Sequence, residues 1–207
     1  LSYNNYNDIF SALNISKSLP KNLGTVIVKH GNPCGVSIDK NHLQSYKLAL
    51  ACDPISAFGG VVSFNFKINK KLAIDLNNIF LEVVIANGFE TQALKILKKK
   101  KNLRIIDATN LLLDKKENFI SNFNSILLQS SDIEKFNPKN FQIVSKKKPS
   151  LEEYKNLIFA FNVCRFVKSN AIVIASNQST VGIGSGQPSR LDSCQIAIDK
   201  MSKFQNI

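Results

Sequence analysis

Lys29 and His30 are adjacent residues that directly follow a short apolar run, residues 25–28. A β-branched run of this length predicts a buried strand, so the pair would lie where a strand ends. In open α/β sheets that edge commonly binds ligands. A lysine supplies a fixed cation, and a histidine can transfer a proton near neutral pH. The pair is therefore a candidate catalytic site, and the alternative is a solvated lysine beside a histidine bonded to a loop carbonyl.

A zinc site is the main competing interpretation of His30. His30 and Cys34 resemble the His-x-Glu and Pro-Cys-x-x-Cys segments of zinc deaminases. At the matching positions this chain has Asn32 in place of the glutamate and Ser37 in place of the second cysteine. Because the general acid and one ligand are missing, we predict no metal at this site. The other histidine, His42, is expected to be an exposed residue in a first helical turn.

A second candidate region is the glycine-rich segment at residues 182–186, which precedes Arg190. It lacks the Lys-Ser/Thr pair of a P-loop, and glycines at a strand-to-helix turn often serve the backbone alone. Arg190, at the start of the next helix, could hold an anion or an acyl donor. Asn170 precedes another apolar run and would need a partner, which a ligand or a backbone carbonyl could supply.

The net charge of +12 raises the alternative of a basic nucleic-acid-binding module. The basic runs at residues 98–101 and 146–148 lack the interleaved aromatic residues that would stack on bases, so we favour solvated helix ends or loops. Four scattered cysteines without a C-x-x-C pair indicate a reducing, cytoplasmic setting. No apolar run approaches the roughly 20 residues that cross a bilayer, so we predict no membrane partner.

Apolar runs alternate with helix-like segments, which predicts an α/β layered domain with a largely parallel sheet. The predicted helices are at residues 7–19, 41–50, 70–77 and 90–99, with Asn7-Asp8 capping the first, and the predicted strands are at residues 25–28, 61–64, 83–86 and 104–106. Residues 32–35 are predicted to form a turn. Residues 111–150 are predicted to be a linker containing one edge strand at 126–129. A helix from residue 150 to 167, two strands and a last helix then suggest a second layered unit.

Four segments carry a family resemblance: VKHGNPCG at 28–35, DPISAFGG at 53–60, VKSNAI at 167–172 and GIGSGQPSR at 182–190. Together they resemble AICAR formyltransferases, the transformylase part of bifunctional purine biosynthesis enzymes that also carry IMP cyclohydrolase. The resemblance covers nearly the whole chain, in order. It implies formyl transfer from 10-formyltetrahydrofolate to the 5-amino group of AICAR.

The resemblance also implies a role for each candidate residue. His30 would accept a proton from the AICAR amine, and Lys29 would stabilise charge on the formyl oxygen and on the folate leaving group. The residues implied to line the AICAR pocket or, in the last case, to lie near the folate are Gly59, Glu82, Asn170, Arg190 and Leu191.

The fold implied by the resemblance is a pair of three-layer αβα cytidine-deaminase-like units. The first, residues 1–125, would be complete or nearly so, and residues 126–207 would hold a linker and the N-terminal part of a truncated second unit. A homodimer with sites at its interface is also implied, and a monovalent cation is a further candidate ligand. Since other segments of the family's site would lie before Leu1 and after Ile207, we expect little transformylase activity from residues 1–207 alone.

Overall fold

Seven α-helices and nine strands make up the part of the chain that this computed structural model describes, residues 1–111, 117–132, 134 and 136–205. The helices are α1 (Tyr3–Ser18), α2 (His42–Cys52), α3 (Pro54–Ala57), α4 (Lys70–Leu76), α5 (Thr91–Leu97), α6 (Leu151–Cys164) and α7 (Arg190–Phe204). The strands are β1 (Gly24–Lys29), β2 (Asn32–Ile38), β3 (Gly60–Phe64), β4 (Leu81–Ala86), β5 (Arg104–Asp107), β6 (Glu117–Asn122), β7 (Ser125–Ser130), β8 (Ile172–Ser176) and β9 (Ser179–Gly184). None of these helices is long and apolar enough to span a bilayer.

Seven strands form one sheet in the order β5-β4-β3-β1-β2-β9-β8. The three strands β3, β4 and β5 are parallel, and the prediction of a largely parallel sheet holds only for this part of it. The other pairings, β1 with β2 and β3, and β9 with β2 and β8, are antiparallel. Two-residue turns at residues 30–31 and 177–178, all with positive φ, link β1 to β2 and β8 to β9. Such turns reverse the chain without a crossover helix, which is why this half of the sheet is not parallel.

Helices cover both faces of this sheet, which confirms the predicted three-layer α/β architecture. Along β1, Ile27 packs toward one face, with α2, α4 and α5. Val26 and Val28 pack toward the other face, with α1 and α6. Successive residues of a strand point to opposite faces, so a strand covered on both sides is apolar throughout, as residues 25–28 indicated.

Helix α1 begins earlier than predicted. Ser2 is its N-cap, and Ser2 and Asn5 form a reciprocal capping box, with each side chain accepting the other's backbone N–H at 3.1 Å. The predicted cap at Asn7-Asp8 is therefore wrong. Asp8 instead lies buried within the helix, with its carboxylate bonded to another segment.

The predicted turn at residues 32–35 is also wrong, because these residues begin β2. The turn is His30-Gly31, and Lys29 pairs with Asn32 across it. The register of β1 and β2 shifts between Ile27 and Val28, which lie opposite Gly35 and Pro33 respectively. An irregularity of this kind accommodates a proline, which cannot donate to the ladder.

The second half of the chain continues the same sheet. The pairing of β2 with β9 has one backbone register pair, Ser37 with Ser179, and the Thr180 hydroxyl bonds both Val36 N at 2.9 Å and Val36 O at 3.2 Å. Of the predicted linker, residues 112–116, 133 and 135 lie outside the described part. The predicted strand at 126–129 is confirmed as β7, which pairs with β6. The boundary drawn after residue 125 thus falls within β7, and the division into two subdomains stays a prediction.

Asn65 joins the end of α1 to the start of β1. Its side-chain oxygen accepts the backbone N–H groups of Leu23 at 3.0 Å and Gly24 at 2.8 Å. Its nitrogen donates to three carbonyls at the end of α1, those of Ser16, Leu19 and Pro20. Because Asn65 is buried, these backbone groups have little access to water as a substitute.

We expect Asn65→Ala to lower the free energy of unfolding by about 3 kcal/mol, because several buried backbone groups lose their partner at once. Urea denaturation measures the change. Asn87→Ala is the matched control, because the exposed Asn87 makes one side-chain hydrogen bond, to Asn65 O at 3.0 Å. This substitution should lower the free energy of unfolding by about 1 kcal/mol or less. Equal losses in the two variants would contradict the role assigned to Asn65.

An ion pair connects α7 to the segment that leads into α3. Lys200 Nζ lies 2.7 Å from Asp53 Oδ2, and the Asp53 side chain is 3% exposed. Ser56 donates to the same carboxylate from its backbone N–H and its hydroxyl. Burial acts to raise the pKa of Asp53, but the hydrogen bonds from Lys200 and Ser56 outweigh it and hold that pKa below its ordinary value.

We expect Asp53→Asn to lower the free energy of unfolding at pH 7 by about 3 kcal/mol, because it leaves Lys200 without its buried partner. The pKa of Asp53 is lower in the folded protein than in the unfolded chain, where an aspartate has a pKa of about 3.9. The stabilisation by Asp53 is therefore complete above that unfolded pKa and is lost as the pH falls through the folded pKa. The difference from wild type should therefore narrow below about pH 4 in urea denaturation. Asp75→Asn is the control, because its ion pair with Lys47 is longer, at 3.9 Å, and more exposed.

Candidate functional site

The carboxyl end of β1 lies beside the amino ends of β3 and β4 at one edge of the sheet. Val28 pairs with Val61, and Gly60 pairs with Leu81. Lys29 and His30 therefore share this edge with Gly59, which precedes β3, and with Glu82, the second residue of β4. The sequence-based expectation that Lys29 and His30 lie where a strand ends is confirmed for β1, whose last residue is Lys29.

Lys29 is half-buried and held by backbone carbonyls. Its ammonium donates to Phe58 O at 3.0 Å and to Gly59 O at 2.6 Å. A lysine has three N–H donors, so one is left for a ligand. Gly59 has φ of +67°, and a side chain there would place Cβ 2.9 Å from Lys29 Nζ. The alternative of a strand-end lysine extending into water is therefore wrong.

His30 is exposed and lies in the left-handed region, with φ of 52°. Its backbone N–H donates to Asp8, while its imidazole makes no hydrogen bond to any residue that the structure describes. His42 differs in both respects. Its ring stacks on Phe66 with centroids 3.7 Å apart, and its Nε2 lies 3.0 Å from Asn22 O. His42 does lie in a first helical turn, but it is half-buried and not exposed as expected.

Glu82 is held by α1. Its Oε2 accepts from Asn5 Nδ2 at 2.5 Å, and Asn5 is 5% exposed. The glutamate's position is thus set by a buried amide, and its other oxygen has no bond to a described residue. Phe58 and Phe80, both exposed, flank the neighbouring Gly59 with ring centroids 5.3 Å apart.

Asn170, Arg190 and Leu191 lie around the start of α7. The side chain of Asn170 donates to Gln187 O at 3.0 Å and to Pro188 O at 2.7 Å, so backbone carbonyls are its partners here. Its own carbonyl accepts from Ser193 in α7. Arg190, the first residue of α7, is exposed, and Leu191 is 81% exposed.

These two groups of residues lie along the same edge of the sheet. Strand β9 runs antiparallel to β2, so its carboxyl end approaches the start of β2. There the side chain of Asn32 accepts the backbone N–H of Lys168 at 3.0 Å. Lys29, His30, Gly59 and Glu82 thus lie at neighbouring ends of β1, β3 and β4, and Asn170, Arg190 and Leu191 lie further along the same edge, beyond Asn32.

Cys34, which the competing zinc interpretation would use as a ligand, is a buried thiol. It donates to Ile27 O at 3.6 Å, and burial raises its pKa far above the ordinary value. Burial also raises the pKa of Cys52, to about 12. Zinc binds the thiolate, so a thiol that stays protonated is a poor ligand. Within the described ranges no group of three or more His, Cys, Asp or Glu residues has the geometry of a metal site.

Two residues bordering the site were not assigned to it from the sequence. They are Asn5 and Asp8, which α1 brings to Glu82 and to the His30 turn. Both are polar residues close to Ile9, Ala12 and Leu13, the buried apolar residues of α1. A buried polar residue on the core side of a helix needs a partner, and this is the signal that could have identified them.

Comparison with known proteins identifies the family. Residues 1–200 match the family model described as AICARFT/IMPCHase bienzyme. The chain is 43% identical to the bifunctional purine biosynthesis protein PurH of Prochlorococcus marinus (strain MIT 9515), over 100% of this chain and 42% of that protein. It is 41% identical to the PurH proteins of Anoxybacillus flavithermus, over 97% of this chain and 39% of the relative, and of Aquifex aeolicus, over 99% and 40%. The chain thus spans about 40% of the length of these relatives.

Among solved structures, a dCMP deaminase from the cyanophage S-TIM5 in apo form matches 51% of this chain and 99% of its own, with 11% identity and a TM-score of 0.39. The family assignment rests on the sequence matches, which extend over nearly all of the chain. The chain belongs to the AICARFT/IMPCHase bienzyme family.

Proposed function

We propose that this chain carries part of the active site for formyl transfer from 10-formyltetrahydrofolate to AICAR, a step of purine biosynthesis. The observation that carries the proposal is the ammonium of Lys29, fixed by two carbonyls beside the exposed His30. The family match and the names of the relatives support the reaction class.

The chemistry assigned to the pair follows from the residue types. The 5-amino nitrogen of AICAR attacks the formyl carbon of the folate, and His30 accepts the proton that this nitrogen loses. The free N–H of Lys29 stabilises the oxyanion of the tetrahedral intermediate. The bond between the formyl carbon and N10 then breaks, N10 takes up a proton, and tetrahydrofolate and formyl-AICAR are released.

The surrounding residues are assigned to substrate binding. Glu82 can accept from the AICAR carboxamide with the oxygen that Asn5 leaves unbonded, and Gly59 keeps the space beside Lys29 clear. Arg190 and Asn170, further along the same edge of the sheet, are assigned to the other side of the AICAR pocket, where a guanidinium can bind an anion or a carbonyl oxygen. Leu191 offers exposed apolar surface to the folate.

Further properties of the whole enzyme are part of the same proposal. They are IMP cyclohydrolase activity in another domain, a homodimer with sites at its interface, a cytoplasmic location and a monovalent cation as an additional ligand. Because the relatives are more than twice as long as this chain, we expect residues 1–207 alone to have little transformylase activity. A full turnover rate from the isolated chain would contradict that expectation.

We expect His30→Ala, in the full-length protein that contains this chain, to reduce turnover by about 10²- to 10⁴-fold, because the amine loses its proton acceptor. AICAR binding should be largely retained, because His30 is assigned to the reacting amine alone and other residues are assigned to substrate binding. Release of tetrahydrofolate measures turnover, and calorimetry measures binding. His42→Ala is the matched control and should lower stability but keep turnover, because His42 packs on Phe66. Wild-type turnover in His30→Ala would remove His30 from the mechanism.

A ligand-binding test separates this function from the nucleic-acid alternative that the +12 charge suggests. AICAR or a folate analogue should raise the thermal midpoint, since a ligand at about 100 times its Kd adds about 2.7 kcal/mol to folding stability. A single-stranded oligonucleotide at the same concentration should give no comparable, salt-sensitive shift. Stabilisation by the oligonucleotide alone would favour the alternative.

A further inference from the structure

Asp8 is a buried carboxylate of α1 whose two oxygens both bind the turn that carries His30. Its Oδ1 accepts from Gly31 N at 2.5 Å, and its Oδ2 accepts from His30 N at 3.2 Å. Ser11, nearly one helical turn further on, donates its hydroxyl to Gly31 O at 3.0 Å. Helix α1 therefore holds both the N–H groups and a carbonyl of this turn.

The turn has a conformation that needs such support. His30 has φ of 52° and Gly31 has φ of 74°, a region that glycine adopts readily and histidine does not. The ladder between β1 and β2 does not bind the two central N–H groups, and Asp8 is their acceptor among the described residues. Bonds from backbone N–H groups to a carboxylate are charge-assisted and therefore stronger than those to a neutral acceptor.

The direction of the His30 imidazole depends on this turn. Its ring has no hydrogen bond to a described residue, so no other hydrogen bond would hold the ring in place if the backbone moved. A displacement of about 1 Å in a reacting group can lower a rate by about 100-fold. The hydrogen bonds of Asp8 therefore bear on the position of the His30 imidazole, the group that accepts the proton in the proposed reaction.

We propose that Asp8 is a positioning residue for the reaction at His30. Its carboxylate fixes the His30–Gly31 turn and, through it, the approach of the imidazole to the substrate amine. This inference rests on the proposed function, which makes His30 the proton acceptor. Asp8 is 7% exposed and acts through His30.

The test is Asp8→Asn in the full-length protein that contains this chain. An asparagine keeps one acceptor oxygen and turns an NH₂ group toward a backbone N–H, so one of the two bonds is lost. We expect kcat to fall at least 10-fold while KM for AICAR stays within about 3-fold, because positioning of the base matters in the transition state. Asp39→Asn is the matched control and should leave kcat within about 2-fold. Asp39 also accepts a backbone N–H, from Asn41 at 2.6 Å, but it follows the carboxyl end of β2 at the opposite edge of the sheet.

The double variant Asp8→Asn with His30→Ala distinguishes positioning from a general loss of folded protein. If Asp8 acts through His30, the double variant should have the same residual turnover as His30→Ala alone. A structural defect would multiply the two losses. If Asp8→Asn shows no folded protein in a thermal melt, Asp8→Ser is measured instead. The smaller serine side chain can accept one hydrogen bond and brings no NH₂ group toward the second backbone N–H.

A fall in kcat of less than 10-fold in the folded variant, or losses that multiply, would overturn the role of Asp8. Either result leaves the proposed function intact, provided that His30→Ala still reduces turnover by about 10²-fold or more. Wild-type turnover in His30→Ala would instead refute the function assigned to His30, and the role of Asp8 with it. The failures of the two proposals therefore give different results.

Discussion

The antiparallel pairing of β1 with both of its neighbours determines which parts of the chain meet at the candidate site. Because β1 runs opposite to β3, its carboxyl end, with Lys29, lies at the amino ends of β3 and β4, where Gly59 and Glu82 are found. Because β2 returns from the same turn and pairs with β9, the carboxyl end of β9 reaches this edge too. A wholly parallel sheet would have placed Lys29 and Glu82 at opposite edges.

The ammonium of Lys29 is held by backbone carbonyls, which leave its positive charge in place. A carboxylate partner would have neutralised that charge. Among the described residues no acidic group lies within ion-pair distance of its ammonium, so the positive charge stays available to a developing oxyanion. Hydrogen bonds to a charged group are each worth about 1.5–3 kcal/mol, enough to order a flexible side chain. The chain must bend sharply to present the carbonyls of Phe58 and Gly59 together, and Gly59, with φ of +67°, allows it.

The sequence predicted the features that depend on neighbouring residues. The helices predicted to begin near residues 41 and 150 and the strand at residues 25–28 depend on local patterns, and each is confirmed. In the structure Asn41 caps α2, and Ser150 and Glu153 form a capping box at the start of α6. Contacts between distant segments were not predictable in this way. Nothing near Asp8 indicates that its partners are 22 and 23 residues away, and the strand at Asn32–Ile38 was missed because Pro33 and Gly35 are both typical of turns.

The candidate site was predicted in two parts for the same reason. A strand end with a Lys-His pair is a local signal, whereas the assignment of Gly59, Glu82, Asn170, Arg190 and Leu191 came from the family resemblance. The structure adds the contacts that explain some of these residue types. A side chain at position 59 would come too close to the ammonium of Lys29, which explains the glycine there. Glu82 accepts a hydrogen bond from a buried asparagine, Asn5.

The two groups of site residues are joined by side chains more than by backbone ladder. Between β2 and β9 the Thr180 hydroxyl takes the place of ladder bonds to Val36, and Asn32 binds Lys168 N. The Asp53–Lys200 pair makes a third link, from the segment before Phe58 and Gly59 to the helix that begins at Arg190. Thr180 and Asp53, both buried, therefore help to connect the two groups, and their hydrogen bonds have a geometry more specific than apolar packing alone would impose.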